Sequence, residues 1–103
     1  MEIDRGVIRE LIHIYGPSGN EHIIRDYIAK EIEYYVDEME IDILGNLIAR
    51  KKGTGKKIMI AAHMDQIGFM VTDIDDEGFL RFTNIGGISP FAALNQHVIF
   101  ENG

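Results

Sequence analysis

The sequence predicts an α/β fold: two N-terminal helices packed on a mixed sheet, followed by a β-rich stretch. Three observations predict it. Apolar residues recur at helical spacing before residue 36, and the period shortens to two from Glu38 onward. Residues 58–62, Ile-Met-Ile-Ala-Ala, then form an unbroken apolar or small run between two lysines and a polar cluster, as a strand buried on both faces requires.

The first helix rests on Val7, Ile8, Leu11, Ile12 and Tyr15. Asp4 is its expected N-cap, since its carboxylate can accept from the free N–H groups of the first turn. Gly16 and Pro17 are expected to end it, glycine in the left-handed C-terminal position and proline because it cannot continue the ladder. Ser18 and Glu21, three apart, read as a capping box that opens a second helix. Ile24, Tyr27, Ile28, Ile32 and Tyr35 form that helix's apolar stripe, with Arg25, Lys30, Glu31 and Glu33 mainly opposite. Tyr27, Tyr34 and Tyr35 are expected in core or rim packing.

After Val36, Met39, Ile41 and Ile43 alternate with Glu38, Glu40 and Asp42, the pattern of a strand with one wet face. Gly45-Asn46 is a tight-turn pair, so residues 47–51 should return antiparallel, and Gly53-Thr54-Gly55 leads into a central strand from Lys56. Further on, residues 69–74 and 79–83 read as two strands joined by Asp75-Asp76-Glu77-Gly78. That acidic run lacks the alternation of oxygen donors a calcium-binding EF-hand loop needs. Residues 84–90 read as a loop and residues 97–100 as a last short strand. The closing Asn102-Gly103 is a hairpin-turn signal with no strand after it, which predicts an open edge.

Composition bounds the function. A chain of 103 residues is one modest domain. Its net charge of -7 and pI near 4.9 argue against a nucleic-acid surface, which needs a basic stripe. No cysteine is present, which excludes disulfides, thiolate metal sites and cysteine nucleophiles. The opening Met-Glu-Ile-Asp-Arg-Gly has no apolar leader core, and no run approaches the ~18 apolar residues of a membrane span, so no membrane partner is expected and the cytoplasm is the default location.

Chemistry concentrates where the central strand should stop. Side chains two apart in an extended segment point the same way, so His63 and Asp65 would leave one face together while Met64 turns back to the core. Ligand sites of open α/β sheets lie beyond the carboxyl ends of their strands. A histidine ligand needs its second ring nitrogen held by a carboxylate or carbonyl, a role open to Asp65. The functional reading is half of a metal site. The plainer reading is a hydrogen-bonded structural histidine at a strand end, which is the commoner case. His13, His22 and His97 lack ligand spacing to His63 and read as surface or capping residues.

Three segments carry a resemblance. Ala62-His63-Met64-Asp65-Gln66-Ile67-Gly68-Phe69-Met70-Val71, Gly16-Pro17-Ser18-Gly19-Asn20-Glu21 and Asp42-Ile43-Leu44-Gly45-Asn46-Leu47-Ile48-Ala49 resemble, in order and spacing, segments of the M42 family of metallo-aminopeptidases. That family includes the glutamyl aminopeptidases and the self-compartmentalising tetrahedral aminopeptidases. The resemblance implies a zinc-peptidase catalytic domain interrupted by a β-rich dimerisation domain. On this plan residues 1–70 are the N-terminal part of the first, and residues 71–103 open the second and stop inside it. It also implies two divalent ions, zinc or cobalt, with His63 at a metal-ligand position and Asp65, the one catalytic assignment, at the carboxylate that orients it. The remaining ligands and the general base lie later in family members, which are longer. Gln66 stands where the family pattern leads one to expect Glu.

The expected function is therefore the N-terminal segment of a divalent-metal-dependent aminopeptidase that releases N-terminal amino acids from peptides. A water-activating metal needs about three protein ligands, so activity is not expected of these 103 residues alone. Expected partners are a peptide substrate in the complete enzyme and either further copies of the chain or a complementing C-terminal polypeptide. The alternative is a non-catalytic truncated remnant or assembly module that associates through exposed strands. Some members of the family have been labelled endoglucanases. Glycosidase chemistry needs two carboxylates at a set separation, and no such pair stands out.

Overall fold

A computed structural model describes residues 4–103; the leader-free reading of Met1, Glu2 and Ile3 falls outside these residues. The chain divides into two compact units, one made of the chain up to Gly16 with Asn20–Met64, the other of Pro17–Gly19 with Asp65–Gly103.

In the first unit, α1 (Arg5–His13) begins as its sequence predicts. The Asp4 carboxylate accepts from Gly6 N at 2.8 Å and Val7 N at 3.4 Å, satisfying two of the donors a helix start leaves over. The helix ends earlier than Gly16, with Ile14 already extended at φ -71° and ψ 130°. Gly16 is thus no left-handed terminator. It is needed for close approach instead: a Cβ there would lie 2.7 Å from Ile24 Cγ2. Ile24, only 4% exposed, is the buried hydrophobic residue of the core among the described residues.

The second helix, α2 (His22–Ile32), starts from Glu21 without a side-chain cap bond, so the capping box expected from Ser18 and Glu21 does not form. A 3-10 turn (Glu33–Tyr35) continues it. Tyr34 and Tyr35 are 86% and 73% exposed, not packed as expected. Three residues per turn rather than 3.6 rotates them off the apolar stripe. Tyr27 is half-buried, and its hydroxyl is harder to ionise, first through burial and then through the negative charges of Glu31, Glu10 and Asp4.

The alternating segment becomes β1 (Glu38–Ile41), paired antiparallel with β2 (Leu47–Arg50) in the register Glu38↔Arg50 to Ile41↔Leu47. Ile43 falls outside the strand, because Asp42 starts the turn. Its Oδ1 accepts from Leu44 N and Asn46 N, both at 2.9 Å, and its Oδ2 accepts from Asn46 Nδ2 at 2.8 Å. Gly45 supplies the positive φ of +88° that the turn requires. All four residues of β1 are exposed, Met39 and Ile41 with them, so the strand lacks the covered face its alternation predicts; around it Arg50 pairs with Glu40 at 2.7 Å and Lys52 with Glu38 at 2.8 Å. Exposed pairs of this kind contribute little to stability.

The run expected to be the central strand differs most. Residues 51–65 take no helix or strand, and Ile58, Met59 and Ile60 are 85%, 89% and 92% exposed. A strand is held by ladder bonds to neighbours and by layers over its faces. Among the described residues the sheets are two separate antiparallel pairs, and neither takes in this run, so no mixed sheet forms around it.

In the second unit, β3 (Gly68–Ile74) and β4 (Leu80–Ile85) form the expected hairpin, with an irregularity between Val71 and Asp73. Phe69 and Phe82 meet edge to face with ring centroids 4.7 Å apart. The acidic turn is built on Asp75, whose Oδ1 accepts from Glu77 N at 3.1 Å and Phe79 N at 2.9 Å, while its Oδ2 lies 3.4 Å from Arg81. Beyond β4 there is a helical turn the sequence reading missed, α3 (Pro90–Ala93), with proline at its start, where its missing N–H is no loss. Residues 97–100 are not the expected strand. No described strand pairs with them. Gly103 N donates to Phe100 O at 3.0 Å, closing a turn at the Asn102-Gly103 signal. Among the described residues no helix is long and apolar enough to cross a membrane.

Candidate active site

The Gly-Pro-Ser-Gly loop, rather than the expected central strand, organises the chemistry of Asp65. Pro17 makes an isolated parallel bridge to Gln66, and Ser18 N donates to Gln66 O at 3.2 Å. A Cβ on Gly68 would stand 3.2 Å from Pro17 Cβ, so the absent side chain lets the proline ring approach the start of β3. Gly19 then takes φ +89°, a left-handed conformation in which a larger residue would be strained. Fixed in this way, Ser18 directs its hydroxyl to Asp65, with Oγ donating to Oδ2 at 2.5 Å in a part-buried setting.

Asp65 is half-buried and belongs to the second unit, whereas His63 is exposed and closes the first. The division falls between Met64 and Asp65. Of the other histidines, His13 is on α1 with Nδ1 2.7 Å from Arg9 O, His22 is the first residue of α2, and His97 is in irregular chain.

Imidazole and carboxylate are each donor types that zinc or cobalt takes. Among the described residues no three His, Cys, Asp or Glu side chains converge. What Asp65 can do here is serve as an acceptor of set orientation, one oxygen held by a hydroxyl.

Ser18 is the residue whose partner the residue-level reading misassigned. Its Ser-x-x-Glu spacing is a local helix-start signal, while its actual partner lies 47 positions further along the chain. The available signal was the likeness of residues 16–21 to a family loop that lies far in sequence from the ligand segment.

The family model for M42 glutamyl aminopeptidase matches residues 45–103. Lysyl aminopeptidase of Pyrococcus furiosus is 43% identical over 99 residues, which is 95% of this chain and 29% of that protein. Among solved structures, an aminopeptidase from the archaeon Desulfurococcus kamchatkensis superposes with a TM-score of 0.77 at 42% identity, covering 82% of this chain and 24% of its own. The TET1 peptidase of Pyrococcus horikoshii, which can assemble into a tetrahedron or a large octahedral shell, gives 0.70 at 41% identity, covering 80% and 24%. The chain spans about 29% of the length of the curated relatives it matches.

Proposed function

The chain belongs to the M42 glutamyl aminopeptidase family, and from that premise we propose that it is the N-terminal portion of a divalent-metal-dependent aminopeptidase releasing N-terminal residues from peptides. In this reading His63 is one metal ligand and Asp65 the carboxylate that holds its imidazole. Zinc or cobalt, two ions in the complete enzyme, supplies Lewis acidity and water activation when bound. The other ligands and the general base come from sequence beyond these residues. Residues 1–70 are assigned to the catalytic domain and residues 71–103 to the start of the β-rich insertion. The complete protein works in the cytoplasm as an assembly of identical subunits, a reading supported by the likeness to the TET1 peptidase.

One observation carries the site reading: the Asp65 carboxylate is already oriented, by the 2.5 Å bond from Ser18. A histidine ligand depends on such a partner to fix its tautomer, and losing the partner typically costs about 10- to 100-fold in metal affinity or activity.

The test replaces the matching stretch of Pyrococcus furiosus lysyl aminopeptidase with this chain and follows hydrolysis of a lysyl anilide. The chimera should be active, His63→Ala should abolish activity, and Asp65→Asn should reduce it about 10- to 100-fold. Full activity in His63→Ala removes the site assignment.

The exposed run Ile58, Met59 and Ile60 favours a second reading, an assembly module without hydrolase activity. A chimera that assembles but hydrolyses nothing, although both parents are intact, selects this reading.

A further inference from the structure

We propose that Ser18 is a positioning residue for Asp65, so that the loop between the first two helices is part of the site rather than a helix cap. The inference rests on the aminopeptidase reading for its catalytic consequence and on geometry alone for the contact.

The geometry is specific in two ways. The backbone and the side chain of one residue are tied to consecutive residues of another segment: Ser18 N donates to Gln66 O at 3.2 Å, and Ser18 Oγ donates to Asp65 Oδ2 at 2.5 Å. A serine hydroxyl has one proton to give, and this bond uses it. The residues on either side restrict Ser18 further. Pro17 has its φ set by its ring and is bridged to Gln66, and Gly19 occupies the left-handed region. The competing role is excluded by the start of α2, where Glu21 is the N-cap and no side-chain cap bond is made.

An orienting hydroxyl acts through the carboxylate it holds. Without it Asp65 loses one of the bonds that set its orientation, and the group that depends on Asp65 is held less firmly. Removal should therefore lower turnover while substrate affinity stays, because the hydroxyl's one proton is committed to Asp65.

In the chimera, Ser18→Ala should lower kcat about tenfold with KM unchanged, the scale of losing a residue that supports a ligand. In an Asp65→Ala background the same substitution should change nothing further. Ser18→Thr and Ser18→Val, which differ in the hydroxyl but hardly in shape, should separate in the same way, with threonine retaining more turnover than valine. This pair keeps the question open to measurement if Ser18→Ala does not fold. A readout independent of activity is the thermal midpoint of the metal-free chimera: Ser18→Ala should lower it in the Asp65 background and leave it unmoved in the Asp65→Ala background. Equal effects of Ser18→Ala in both backgrounds, or equal turnover of the threonine and valine variants, overturn the proposal. If His63→Ala is fully active while the metal-free midpoints still couple Ser18 to Asp65, the aminopeptidase site reading has failed and the contact has not.

Discussion

Ile24 lies so close to Gly16 that a Cβ on the glycine would stand 2.7 Å from Ile24 Cγ2 and 3.3 Å from its Cβ. The nearer atom is the methyl carried by the branched Cβ and the other is that Cβ itself, both close to the α2 backbone, so they cannot move aside as the end of a long side chain can. Because Ile24 is 4% exposed, a methyl group at residue 16 overpacks the buried point of the first unit. Gly16→Ala should destabilise by about 1–3 kcal/mol, and a lowered urea midpoint with unchanged slope is the result to look for. An unchanged midpoint would mean that α2 shifts freely.

The Asp42 carboxylate is held below the usual range of an aspartate, chiefly by the side-chain bond from Asn46 and next by the Asn46 backbone N–H. A depressed folded-state value means the contribution to the hairpin is present above the unfolded value of about 4 and disappears as pH falls through the folded one. Titration of the Asp42 carboxyl by NMR should show a low midpoint that moves up in Asn46→Ala. A midpoint indifferent to that substitution contradicts the assignment of cause.

Ile58, Met59 and Ile60 form a short, strongly apolar and highly exposed run, and Lys56 and Lys57 are the only charges close before it. Such windows drive strand-to-strand association between copies. The 103-residue chain should self-associate with rising concentration in light scattering, and Ile60→Lys should suppress this. Equal scattering from both chains would place the association elsewhere.

Phe69 and Phe82 contact each other at 4.7 Å and 64° across β3 and β4. Edge-to-face pairs add about 0.5–1.5 kcal/mol beyond area burial, and with Phe82 56% exposed the lower end applies. A double-mutant cycle with Phe69→Leu and Phe82→Leu should give a coupling of about 0.5 kcal/mol. Strict additivity would show the contact to be incidental.

What could be read without the structure was whatever a few adjacent residues decide among themselves. The Asp4 cap, the strand alternation from Glu38, the Gly45-Asn46 turn and the hairpin around Asp75 all appear where local patterning puts them. The cap and the two turns close within a few residues, and each turn sets the register of the hairpin strands beside it, so near neighbours in sequence suffice to select them. His63 and Asp65 were read as residue types at the end of a strand, and that strand does not form; the loop at residues 16–21 was read as a family likeness.

Tertiary structure decided which partner each ambiguous group takes. Ser18 could cap α2 or bond to Asp65, and only the folded chain brings a residue 47 positions away into reach and spends the single hydroxyl proton there. Gly16 could end α1 or admit Ile24, and packing chose the second. Residues 58–62 carry a strand's composition, but composition supplies neither ladder partners nor covering layers. Without those among the described residues, the run stays exposed and irregular.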